Sequence, residues 1–144
     1  MATANPYLNF NGNTEEAFNF YKSVFGGEFA TLQRFKETPE AGKIPANEQD
    51  KIMHIALPIG NGNILMATDA LESMGQNLKV GNNFSISLST ESEEEAEKLF
   101  NGLSEGGKVT MPLQKTFWGA YFGMLTDRYG VNWMFNQNLD PNKA

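Results

Sequence analysis

Two apolar-rich segments near the end of the chain, Tyr121 to Leu125 and Asn132 to Phe135, flank the polar run Asp127-Arg128-Tyr129-Gly130 and predict a β-hairpin. Asp127 can bond its own backbone two residues on, and Gly130 can take the positive φ that a Cβ resists. The pattern occurs twice. Setting Gly62 against Gly130 lays M-H-I-A-L-P-I-G-N-G-N-I-L-M-A, from Met53, over Y-F-G-M-L-T-D-R-Y-G-V-N-W-M-F, from Tyr121.

Upstream of each hairpin the order is the same. Tyr7 to Asn11 alternates at period two, as a half-buried strand does. Asn13 and Glu16 then read as a capping box, followed by Ala17, Phe20, Tyr21, Val24 and Phe25 at helical spacing and the Gly26-Gly27 stop. Phe29 to Phe35 predicts a strand, and Lys36 to Asp50, with no apolar period, an exposed loop. Residues 70–82 read as a connector with one helical turn around Leu71 to Met74.

In the second half Phe84 to Ser89 alternates, and Ser92 and Glu95 repeat the capping box 79 residues after Asn13 and Glu16. Ala96, Leu99, Phe100 and Leu103 restate the helix face, and Lys108 to Phe117 predicts the next strand. The helices are offset by 79 and the hairpins by 68, so the first half carries eleven extra residues between them. The expected fold is α+β: one domain over 1–144 built as βαβββ twice, modules 1–69 and 83–138, forming a curved mixed sheet with helices on its outer face.

Strand parity assigns the faces. With Leu8, Phe10, Phe84, Ile86 and Leu88 under the helices, Tyr7, Asn9, Asn11, Asn83, Ser85, Ser87 and Ser89 turn to the other, concave side. Trp133 and Phe135 likewise send Asn132, Met134 and Asn136 there, as Ile64, Met66 and Thr68 in the first half. His54 is placed on the same side.

Composition narrows the function. A net charge of −6 over 144 residues, with no basic stripe, argues against nucleic acid. The absence of cysteine removes disulfides and thiolate chemistry. With no apolar run of spanning length and no leader-like start, the expectation is a cytoplasmic protein that does not engage a membrane.

Pro6-Tyr7-Leu8-x-Phe10, Ala17-x-x-Phe20-Tyr21, Met53-His54, Leu65-Met66-x-x-Asp69 and Phe117-Trp118-Gly119-x-Tyr121-x-Gly123-x-x-x-Asp127-x-x-Gly130-Val131-x-Trp133 together resemble the PhnB-like branch of the vicinal-oxygen-chelate superfamily, the glyoxalase, bleomycin-resistance and dioxygenase proteins. The resemblance implies a glyoxalase/bleomycin-resistance-like fold and a homodimer. In that superfamily a divalent metal is commonly held by His and Glu on the first and last strands of the modules. Here those places fall near Pro6 or Tyr7, near Asn82 or Asn83, and at Met66 and Met134. None is His or Glu, so no metal and no cofactor is expected. A methyltransferase label attached to the branch finds no glycine-rich strand-to-helix loop to support it.

The expectation is therefore a small-molecule-binding protein, the ligand apolar or aromatic, with Tyr7, Asn9, His54, Met66, Trp118, Phe122, Asn132 and Met134 as binding residues. His54, the only histidine, is also the candidate general base, against the favoured reading of a structural imidazole. Asp69 and Asp127 stand at turns, where capping outweighs acid–base work. Trp118 either closes a cavity mouth or anchors a subunit, or simply packs, and core filling competes for the two methionines. A lyase or isomerase, a metal enzyme with unaligned ligands, and a structural or regulatory homodimer are the alternatives.

Overall fold

Along β1 (Tyr7–Phe10) Leu8 and Phe10 turn inward while Tyr7 and Asn9 stay exposed, as parity requires. The computed structural model describes residues 1–138, the last by its backbone alone. Two units divide the chain, Met1–Lys79 and Val80–Ala144.

Unit 1 continues with α1 (Thr14–Phe25), β2 (Thr31–Arg34), β3 (Ile52–Gly60) and β4 (Asn63–Asp69). Its sheet order is β1-β4-β3-β2, with β1 parallel to β4 and the remaining pairs antiparallel. Asn61 and Gly62 both take positive φ in the two-residue turn between β3 and β4, the combination a tight hairpin favours. Unit 2 repeats the plan with β5 (Ile86–Leu88), α2 (Glu93–Ser104), β6 (Lys108–Lys115), β7 (Ala120–Thr126) and β8 (Asn132–Asn138), in the order β5-β8-β7-β6. The architecture is thus two four-stranded mixed sheets, each with one helix.

Each helix covers one face of its own sheet. In unit 1, Ala17, Phe18 and Tyr21 of α1 bury with Leu8, Phe10, Ile55, Leu57, Leu65 and Ala67. Phe18 meets Phe10 edge-on at 6.5 Å. Phe18 and Tyr21 are the fully buried aromatics of the helix, whereas Phe20, Val24 and Phe25, expected on the core face with Tyr21, are only half-buried. Removing a phenylalanine of this kind from water is worth about 2 kcal/mol. In unit 2, Trp133 and Phe135 lie fully buried with Leu125, Phe100 and Leu103.

The first helix start differs from expectation. Asn13 makes no side-chain cap bond. Asp69, at the end of β4, takes its place: Oδ1 accepts from the Thr14 N–H and hydroxyl, and Oδ2 from Ile52 N–H. The second start is capped from sequence-local residues. Ser92 Oγ accepts from Glu95 N–H, and the Glu95 carboxylate reaches back to Glu91 N–H, one residue beyond a standard box.

One further expectation is corrected. Phe84 lies outside β5 and is 61% exposed, because the strand begins only at Ile86 and leaves it no sheet to pack on. The 36–50 segment is mostly exposed, as expected of a loop, and carries short 3-10 turns; Gln49 Nε2 donates to the carbonyls of Ala41 and Ile44 and braces the later two.

Candidate functional site

Predicted site residues gather on the face of each sheet turned away from its helix, and the two faces differ in chemistry. On unit 1, Tyr7 of β1 stands opposite Met66 of β4, and Met66 opposite Ala56 of β3. His54, two residues before Ala56, therefore shares this face, as do Asn9 and Thr68. Tyr7 and His54 meet across β4: their rings stack at 5.7 Å and 26°, and the phenol oxygen lies 3.1 Å from His54 Nδ1. Burial pushes the Tyr7 phenol above its ordinary pKa, which keeps its proton in place well past neutrality. Gln33 of β2, paired with His54, extends the polar surface.

On unit 2, Met134 of β8 stands opposite both Ser87 of β5 and Met124 of β7. Phe122 precedes Met124 by two residues on the same face, and Trp118 packs edge-on against it at 6.1 Å. Trp118 sits in a tight turn closed by Thr116 N–H to Ala120 carbonyl, with Gly119 at φ 85. It is 48% exposed. Phe122, Met124 and Met134 make the centre of this face apolar, with Ser87 and Asn132 beside them, where the first face carries Tyr7, Asn9 and His54 around Met66.

Asn132 also lies on this face, but its amide is engaged at both ends: Oδ1 accepts from Thr126 Oγ1 at 2.7 Å and Nδ2 donates to the Phe84 carbonyl at 3.2 Å. One N–H and one lone pair of Oδ1 remain for anything else. Asp127, the turn residue, accepts from Tyr129 N–H and Val131 N–H and holds the Trp133 indole N–H at 2.8 Å. It is a structural acid.

Sequence reasoning missed Met124 and Gln33. Parity along β7 and the 68-residue repeat mark Met124, since it is the counterpart of Ala56; Gln33 needed the β2–β3 register. The counterpart of Tyr7 is Ser87, since each pairs with the methionine of its own last strand, and not Asn82 or Asn83, which precede β5.

A divalent ion does not fit the residues at the superfamily's metal places. They offer a phenol beside a thioether and a serine hydroxyl beside a thioether, with no carboxylate in either pair. Among the described residues no three His, Asp or Glu side chains come together.

Two four-stranded sheets of this order, each with one helix, match the glyoxalase/bleomycin-resistance/dioxygenase fold; a protein of that family from Burkholderia phytofirmans superposes with a TM-score of 0.59 at 18% identity over 93% of this chain and 98% of its own. The sequence model of the family called 3-demethylubiquinone-9 3-methyltransferase matches residues 2–135. The chain belongs to that family. It is 33% identical to protein YjdN of Escherichia coli over 139 residues, 91% of this chain and 92% of that one. Protein PA1353 from Pseudomonas aeruginosa superposes with a TM-score of 0.83 at 44% identity, over 97% of this chain and 100% of its own. A PhnB protein from Bacillus cereus superposes at 0.73 with 29% identity, over 94% and 99%.

Proposed function

We propose that this protein binds a small apolar or aromatic molecule on the open sheet faces without a metal. The observation that carries the reading is the row Phe122, Met124 and Met134, half-exposed on a face no helix of its unit covers, with Trp118 against its end. Methionines adapt to an irregular apolar guest and an aromatic edge gives it a flat neighbour. The open face of the unit 1 sheet, taken by itself, offers Tyr7, His54 and Asn9 as hydrogen-bonding groups for a more polar guest. The family's methyltransferase name does not guide this reading. Both strand-to-helix turns are closed by side-chain caps, and each sheet has a single crossover helix, unlike the doubly wound sheet that holds a nucleotide cofactor.

Trp118 is the natural reporter. Titration with the fluorescent probe 1-anilinonaphthalene-8-sulfonate is expected to quench Trp118 by energy transfer, and Met134→Glu to weaken binding about tenfold or more, in line with a charge set into an apolar contact. Probe binding that is indifferent to Met134→Glu and to Trp118→Phe would overturn the assignment of this face.

A second reading is favoured by the Tyr7–His54 contact. With Nδ1 held by the phenol, the ring is oriented, and Nε2 is the nitrogen left to exchange a proton with a bound molecule. Turnover unchanged in both His54→Ala and Tyr7→Phe, once a reaction is found, would remove it. We propose in addition that two copies associate, since β1, β2, β5 and β6 are sheet edges and Val109 and Met111 of β6 are more than 40% exposed. Light scattering at micromolar concentration checks this.

A further inference from the structure

Unit 1 contains a cavity of about 480 Å³ lined by none of Tyr7, His54 or Met66. Its wall holds Glu48, at the end of the last 3-10 turn of the long loop, and Lys51, three residues on. Glu48 is only 6% exposed. Its Oε2 takes one long bond, 3.4 Å, from Ser73 N–H, and its Oε1 has no partner at all among the described residues. A carboxylate oxygen left so is costly to bury, and such a group in a native fold calls for a donor. Lys51 is half-buried, with its ammonium laid against Gly12: a Cβ added there would lie 2.6 Å from Nζ.

Opposite charges thus line one cavity without pairing. Among the described residues neither Glu48 nor Lys51 enters an ion pair, although Lys51 N–H donates to the Glu48 carbonyl and the two are neighbours in the chain. The remaining wall is rich in amides, Asn11, Asn47, Gln76 and Asn77, which donate and accept equally well. Glu72 adds a second carboxylate to the lining, so a simple anion is disfavoured. A simple cation would leave Lys51 unanswered.

We propose that this cavity is a binding site for a small zwitterion of the α-amino acid type. The ligand's ammonium donates to the Glu48 carboxylate, and its own carboxylate accepts from the Lys51 ammonium. Side-chain amides of the wall take the ligand's remaining polar groups. The site stands independently of the sheet faces, so failure of one leaves the other untouched.

Thermal unfolding of the full chain is measured with each proteinogenic L-amino acid, with ethanolamine and with acetate, each at about 10 mM, where a ligand of roughly millimolar affinity shifts the midpoint by several degrees. At least one amino acid is expected to raise the midpoint, with ethanolamine and acetate each giving less than half its effect. Glu48→Gln and Lys51→Met are each expected to abolish the shift, while Trp118→Phe leaves it intact. Should Glu48→Gln not fold, the half-buried Lys51→Met carries the comparison. A wild-type protein indifferent to every amino acid, a shift that survives both substitutions, or ethanolamine or acetate acting as strongly as the amino acid would overturn the proposal.

Discussion

Asp69 and Thr14, 55 residues apart in sequence, are joined twice: Asp69 Oδ1 accepts from the Thr14 N–H at 3.0 Å and from its hydroxyl at 2.6 Å. One side chain at the end of β4 therefore caps α1 and, through Oδ2, also fixes the start of β3. Asp69→Ala leaves three buried donors unanswered and is expected to cost about 3 kcal/mol or more in urea unfolding. Asn13→Ala, which a local capping box would make comparably harmful, is expected to cost less than about 0.5 kcal/mol.

Gly123 of β7 packs beneath α2. A Cβ there would lie 2.9 Å from both Leu113 Cα and Phe100 Cε2. The backbone of β6 cannot give way as a side-chain tip can. Gly123→Ala is expected to destabilise unit 2 by about 1–3 kcal/mol, read as a lower denaturant midpoint with near-UV dichroism of Trp133 lost at that midpoint.

Arg34 grips both carboxylate oxygens of Glu15, at 3.0 and 2.6 Å. The hydrogen bond to Arg34 is the main cause that holds the Glu15 carboxyl below its ordinary range. A depressed folded-state pKa adds stability above the unfolded value and loses it as pH falls through the folded one. Glu15→Gln is therefore expected to lower stability at pH 7, by no more than about 1 kcal/mol for a partly exposed pair. The difference from wild type should vanish in urea titrations carried below the folded Glu15 pKa.

Tyr121 donates its phenol proton to Glu97 at 2.8 Å, and that bond is the leading cause of its raised pKa. Stability from this pair is complete below the ordinary tyrosine pKa and is lost as pH climbs through the raised one. In absorbance titration at alkaline pH, Tyr121→Phe should remove a phenol that ionises later than a free tyrosine, and Glu97→Gln should bring that phenol's ionisation back toward the ordinary value.

The repeat and the facing of most strands were legible because both are local: parity separates Leu8 from Tyr7 and Trp133 from Met134 within a single segment. The Asp69 cap was not, since periodicity carries no information about a partner across the fold. The counterpart of Tyr7 was missed for a similar reason. Helix starts are 79 residues apart, but the strands before them are 80 apart when measured by their methionine partners, a slip that only cross-strand pairing reveals. Glu48 was hidden inside a charged, proline-containing segment whose composition reads as solvated, yet its residue is among the most buried acids of the chain. Among the predicted site residues, the Tyr7–His54 contact has no sequence signature at all, and the structural engagement of Asn132 needed its partner Phe84 to be placed.

His54 and Phe122 occupy matching positions, each two residues before the residue that faces its module's strand-end methionine. A self-associating single module would carry the same ring at both places, and any mutation would strike both copies at once. In a tandem chain each position is encoded on its own, so an imidazole and a benzene ring can stand at matching places and either can be substituted without touching the other.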